Sequence, residues 1–295
     1  MESWNEKTVS RDALQEGRAL LARPVLPLVS MVQFLFLTGP FATVAEVVEE
    51  LPEPIETGTA AYPDPRRLLA GYLDVLAGLE QAKEGGSPEV RVVDETDRPV
   101  DALTGFSALI RQRILEEELE RINSLLCAPC GCTLCCVGPA EEMEQEYFEI
   151  PLAGTEPDLF DVPRCDSAAT RAALPDDDPE PIWEGRAFYR VEEPALFHWR
   201  KGWSLILPEK TTCPQLDAGG RCRVYDRRPR VCRRPQIFPY VVEPLDVTES
   251  GPPVVRIRES LLAVVDCPYV RALREEIEGY AAACELALHL KRNKN

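Results

Sequence analysis

Histidine occurs only twice in the 295 residues, as His198 and His289. Hydrolytic zinc sites usually recruit histidine or carboxylate ligands and keep one coordination position open, so so little histidine points away from that chemistry. Basic residues are outnumbered 33 to 50, a net charge of −17, which argues for solubility and against non-specific binding to nucleic acid or an anionic membrane. No apolar stretch reaches the roughly 20 continuous residues of a membrane span. The most apolar, Pro24 to Gly39, carries prolines and a glutamine and reads as a buried helix. The first residues lack the basic start, apolar middle and small-residue cleavage site of a secretory signal. The expectation is a cytoplasmic protein without membrane or nucleic-acid partners, whose thiols sit in a reducing compartment. Neither a solenoid repeat nor a glycine-rich strand-to-helix turn for a nucleotide is present.

What the chain does have is breakers early and strand-like runs late. Gly39-Pro40, "LPEPIETGTAAYPDP" and "EGGSPE" punctuate the first third, between apolar residues at helical spacing in Phe41 to Leu51 and Arg66 to Leu79. From about Ala102 a longer helix is expected. Phe106, Leu109, Ile110, Ile114, Leu115, Leu119, Ile122, Leu125 and Leu126 form its apolar stripe, and Glu116, Glu117, Glu118 and Glu120 read as a solvated face running into Cys127. Short strands are expected at "EYFEIPL", "GRAFYRV", "WSLILP", "IFPYVVEP" and "PVVRIR", and a terminal helix over 269–290 after Pro268. The expected fold class is α+β, mainly helical, with a small irregular β component and a cysteine-rich module stapled by metal. The expected organisation is an acidic helical module at 1–126 and a cysteine-cluster domain at 127–295, the latter with an acidic insertion at about 140–198.

The distinctive feature is "CAPCGCTLCC", which places Cys127, Cys130, Cys132, Cys135 and Cys136 within ten positions. A second group, Cys213, Cys222 and Cys232, follows about 75 residues later, and Cys267 joins it through "VDCP". Two thiols three positions apart on a tight turn can grip one ion while nearby backbone N–H groups point at the sulfurs. Cys127/Cys130 and Cys132/Cys135 both have that spacing. Adjacent Cys135 and Cys136 would point to opposite sides of an extended segment, so two sites are open as well as one. A chain of this length does not need disulfides to stay folded, and a dithiol redox pair at Cys132/Cys135 lacks the usual strand-to-helix setting. Cys284 in "AAACELAL" reads as core, Cys165 as a bystander, His198 and His289 as ordinary packed residues, and Asp176 to Asp178 as a solvated loop.

Four thiolates around a divalent ion or a 4Fe–4S cubane leave about two negative charges to be offset. Arg221, Arg223, Arg227, Arg228, Arg230, Arg233 and Arg234 are interleaved with Cys222 and Cys232, and Arg223, Arg230 and Arg233 are taken as the neighbours that offset it. A nucleic-acid reading of this stretch lacks an aromatic stacking series. The long intervals within the second group lean towards an iron–sulfur cluster over zinc, because a cluster gathers ligands from further apart.

"CPQLDAGGRCRVYDRRPRVCRRPQIFP" after "CxxCxCxxCC" resembles the CxxCxxCC cysteine-cluster family, the YkgJ-like zinc- or iron-chelating proteins. The resemblance covers residues 127–136 and about 203–268. It implies Cys132, Cys135, Cys136, Cys213, Cys222 and Cys232 as ligands, with Cys267 joining them. The pattern calls for a cysteine at 129, where this chain has Pro129, flanked by Cys127 and Cys130. The expected function is a metal-binding protein holding an all-cysteine iron–sulfur or zinc centre, structural or electron-carrying. The alternative is an enzyme, redox or lysine-methylase-like, using that centre. A protein partner is expected at the N-terminal helices.

Overall fold

The computed structural model describes residues 11–58, 60–141, 143–234, 236–245 and 253–292. Three helices open it: α1 (Arg11–Leu21), α2 (Leu26–Thr38) and α3 (Val44–Glu49). The span Asp12–Thr38 is long and apolar enough for a membrane-crossing helix by length and composition. The chain nevertheless breaks between α1 and α2, and Leu26, Leu28, Val29, Val32 and Phe36 of α2 lie in the core. A small hairpin of β1 (Ile55–Glu56) and β2 (Ala61–Tyr62) precedes α4 (Pro65–Ala70), α5 (Leu73–Leu76) and α6 (Gly78–Lys83). The single helix expected near 66–79 is thus three short pieces, with turns at Gly71-Tyr72 and Ala77.

After β3 (Arg91–Val93) comes α7 (Ala102–Cys130), 29 residues long. Asp101 caps it, its Oδ1 accepting from the Thr104 N–H at 3.0 Å. Phe106, Ile110, Ile114, Leu115, Leu119, Ile122 and Leu126 are all buried along it, the apolar stripe the spacing called for. The acidic run is not one solvated face. Glu118 is 5% exposed, and its carboxylate accepts from the Val25 N–H (3.1 and 3.3 Å) and from the Tyr280 hydroxyl (2.7 Å).

The mainly helical expectation is overturned: helix accounts for 38% and strand for 23%, in several sheets. One sheet holds β4 (Tyr147–Leu152), β5 (Arg164–Cys165), β8 (Ala195–Trp199) and β9 (Gly202–Pro208) in the order β4-β9-β8-β5. Around it lie α8 (Ala168–Ala172) and a two-stranded ribbon of β6 (Ile182–Trp183) and β7 (Arg186–Ala187). A second sheet joins β10 (Ile237–Leu245), β11 (Val254–Val264) and β12 (Ala287–Lys291). β3 pairs in parallel with the start of β11, and β12 pairs in parallel with its end. Between the sheets in sequence is α9 (Arg230–Arg233).

The helix expected over 269–290 is corrected too. It comprises α10 (Pro268–Ala272) and α11 (Arg274–Ala283), and the chain then turns at Glu285, with φ 56°, into β12. Leu288 and Ala287 favour helix on their own, but pairing 287–291 with the free edge of β11 satisfies backbone groups that a longer helix would leave open. The boundary expected at 126/127 lies inside α7, and one hydrophobic core contains Leu28 and Phe36 from one side of it and Val241, Tyr269 and Ile277 from the other. The β4-β9-β8-β5 sheet packs separately: Phe188, Phe197 and Trp199 on one face, Ile150, Leu205 and Leu207 on the other.

Burial pushes the Glu118 carboxyl up to about 7, with the Tyr280 and Val25 hydrogen bonds and Arg121 opposing. Between about pH 4.3 and pH 7 the unfolded chain has lost this proton while the folded chain keeps it, so stability falls as pH rises across that window and is flat above it. Glu118→Gln keeps the acceptor and carries no charge. It should match the wild type near pH 4 and exceed it by about 3 kcal/mol at pH 8, measured by chemical denaturation at the two pH values.

Candidate metal centre

The last turn of α7 carries Cys127 and Cys130, three residues apart and therefore on one side of the helix. Gly131 ends the helix in the left-handed region, φ 61°, where a residue with a Cβ is strained and glycine is not. The chain reverses there and lays out Cys132, Cys135 and Cys136. The Leu134 N–H donates to the Cys132 Sγ at 3.3 Å, the N–H-to-sulfur contact that favours a thiolate. The Cys136 N–H bonds the Thr133 carbonyl at 2.8 Å.

The backbone then joins the two cysteine groups. Val137 bridges Thr212, and the Cys213 N–H donates to the Cys136 carbonyl at 2.8 Å. Leu216 bridges Cys222, closing a loop that Asp217 holds by accepting from the Gly219 and Arg221 N–H groups, each at 2.8 Å. Cys232 lies on α9. Cys267 is 3% exposed, immediately before α10.

These placements bring all nine expected thiols to one end of α7. Cys130 is within hydrogen-bonding reach of both Cys132 and Cys267, and Cys135 of Cys136. Cys135 and Cys136 therefore do not point apart: the turn closed on Thr133 replaces the extended segment in which they would. Burial, then Cys135, push the Cys127 thiol up to about 11. Burial, then Cys135 and Cys213, push Cys232 up to about 12. Contact with Cys136, then burial, hold Cys135 well above the ordinary thiol range. Crowded, desolvated sulfurs resist ionisation together, and a cation among them reverses that. Among the described residues no three cysteine, histidine or carboxylate side chains converge as a finished metal cage; the thiols turn towards each other in pairs.

The arginines divide in a way the sequence did not distinguish. Arg223 is exposed. Arg230 and Arg233 reach α7, where they pair with Glu116 (3.4 Å) and Glu120 (3.2 Å), and Arg234 pairs with both carboxylates at 3.1 and 3.3 Å. Arg228 is the guanidinium beside Cys127 and Cys232, opposing the rise of both thiols, and Arg271 does the same for Cys132. It is 6% exposed, lies 3.7 Å over the Tyr225 ring, and donates to the Tyr225 and Cys232 carbonyls and the Ser124 hydroxyl at 2.9, 3.3 and 3.1 Å. No carboxylate among the described residues pairs with it. A buried cation without a counter-ion is costly, and thiolates at Cys127 and Cys232 would supply one. The donor set and this charge fit a thiolate-held metal centre.

A cleft of about 1960 Å³ opens beside the thiols. Cys127, Cys132, Cys135, Cys136, Cys213, Cys222 and Cys232 line it, whereas Cys130 and Cys267 lie behind. β4 lines it too, with Cys213 and Cys232 packed against the face that carries Phe148. The remaining chemistry-bearing residues stand elsewhere. Cys165 is buried in the aromatic core of the first sheet, and Cys284 is buried at the end of α11. His198 lies on β8, its Nδ1 3.1 Å from Asp166 and its ring stacked on Trp203 at 4.6 Å, and His289 lies on β12. No protein-family model, curated protein or solved structure matches the chain, so the likeness to the cysteine-cluster family rests on the spacing and on the pieces around the second cysteine group.

Glu116 and Glu120 hold α9, and with it Cys232, against α7. The double substitution Glu116→Gln/Glu120→Gln should cost about 1–2 kcal/mol of stability in dilute buffer and much less in 1 M salt, which screens partly exposed pairs. Alkylation of Cys232, followed by mass spectrometry, should speed up several-fold.

Proposed function

We propose that this chain is a metal-binding protein whose centre is held by cysteine thiolates at the end of α7. The observation that carries the reading is Arg228, a buried guanidinium with no carboxylate partner among the described residues, beside seven thiols that face one cleft. The ligands, four to a centre, would come from Cys127, Cys132, Cys135, Cys136, Cys213, Cys222 and Cys232, with Cys130 and Cys267 behind them. Donors drawn from two groups about 75 residues apart, the second widely spaced, suit an iron–sulfur cluster better than a single zinc ion. Such a cluster supplies one-electron transfer, while zinc would act as a clamp. The protein's own contribution is the offsetting charge of Arg228 and the Leu134 N–H on Cys132. All eleven cysteines are unbridged.

A second reading, an enzyme that uses the centre, is favoured by the cleft itself. A purely structural clamp has no need of a large opening beside its ligands.

Protein purified without oxygen should show broad visible absorbance and about four irons per chain. A colourless protein with zinc would make the centre a clamp, and neither metal, with freely titratable thiols, would overturn the reading. Cys135→Ser should lose the metal, while Cys165→Ser and Cys284→Ser should keep it. Because Cys127 and Cys232 are protonated at neutral pH, loading should also release protons, about one per thiolate engaged, read by calorimetry in buffers of different ionisation enthalpy.

A further inference from the structure

β4 is the outer strand of its sheet, and the ladder fixes which of its backbone groups are free. The Glu209 N–H donates to the Glu146 carbonyl, and the register then runs Phe148↔Leu207, Ile150↔Leu205, Leu152↔Trp203. In an antiparallel pair, alternate residues turn both N–H and C=O to the neighbour. Phe148, Ile150 and Leu152 therefore bond β9. The other edge of β9 agrees, because the tight turn pairing Trp199 with Gly202 sends Gly202, Ser204 and Ile206 towards β8. The N–H and C=O of Tyr147 and Glu149, and the C=O of Pro151, face outward into the cleft.

An open edge invites a further strand unless the chain blocks it. The edge of β10 is blocked: the Gln112 side chain bonds the Val241 N–H and the Pro239 carbonyl (2.9 and 3.4 Å), and Asn123 bonds the Ile237 N–H and C=O (3.3 and 2.7 Å). Among the described residues no side chain of α7 bonds the edge of β4 in this way. Its surroundings also carry a sign. Glu149, Asp176 and Glu180 gather round Tyr147, and Glu144, Asp177 and Glu146, the last paired with Arg190 at 3.6 Å, line the cleft as well. A second copy of β4 would set this acidic strip against itself.

We propose that β4 is a docking edge for an extended, basic segment of a partner protein, which adds as a fifth strand along the cleft. The incoming backbone exchanges two pairs of hydrogen bonds with Tyr147 and Glu149 and donates one more to the Pro151 carbonyl. Its side chains alternate between the acidic strip and the face that carries Phe148, Cys213 and Cys232. The inference does not depend on the metal-centre reading.

The test uses the full chain and a fluorescent heptapeptide of alternating lysine and valine, followed by anisotropy and amide hydrogen exchange. The peptide should bind and slow exchange at Tyr147 and Glu149 by about tenfold or more. N-methylation of alternate peptide amides should weaken binding about tenfold in one set and leave it unchanged in the other, because an added strand uses a single edge. Replacing lysine by glutamate should abolish binding. Equal binding of both methylated sets, equal binding of the glutamate peptide, or unchanged exchange at Tyr147 and Glu149 would each overturn the proposal. Concentration-dependent protection of those amides without peptide would overturn it as well, by assigning the edge to a second copy.

Discussion

Polar groups buried along a helix must find partners, and in α7 every such group finds one on another part of the chain. Gln112 and Asn123 take backbone groups of β10, with the Tyr269 hydroxyl also bonding Asn123 at 2.5 Å, and Glu118 takes the Val25 N–H and the Tyr280 hydroxyl. Leaving any of these unpaired in the core would cost about 1–3 kcal/mol. The helix is therefore fixed in rotation as well as position by three polar side chains spread along its length. That fixed rotation determines where Cys127 and Cys130 point.

At the cysteine end the balance is electrostatic. Nine thiols share one end of α7, Cys267 buried and the others partly exposed, and both desolvation and mutual repulsion oppose ionisation. The surrounding arginines do not act as a diffuse positive cloud. Three share the two carboxylates of Glu116 and Glu120, which turns them into a clasp for α9. Arg228 faces Cys127 and Cys232, and the groups that receive its hydrogen bonds are neutral.

The sequence made some of this readable. The apolar stripe from Phe106 to Leu126 gave α7, and the two cysteine groups gave the end of the molecule where they meet. It could not single out Glu118, since four glutamates in five residues look alike until tertiary packing buries one. Arg228 is likewise indistinguishable from its neighbour Arg227, because what sets it apart is the Tyr225 ring and the Ser124 hydroxyl, the latter about a hundred residues away. The last strand was misread for a related reason: residues 287–291 have little strand character of their own, and the vacant edge of β11 decides their state. The mutual approach of Cys135 and Cys136 depends on a turn whose only signal is a single backbone bond to Thr133.

The pairing of both β3 and β12 with β11 bears on how the protein is made. Residues 91–93 wait for 254–256, and the sheet is finished only when 287–291 arrive. During synthesis the helical third thus leaves the ribosome well before the strand that completes its core. Cys136 likewise emerges 77 residues ahead of Cys213, the distance between their positions in the chain. For that interval five closely spaced thiols are exposed without their second group, a window in which a delivery factor or an oxidant reaches them more easily than it can once the fold has closed.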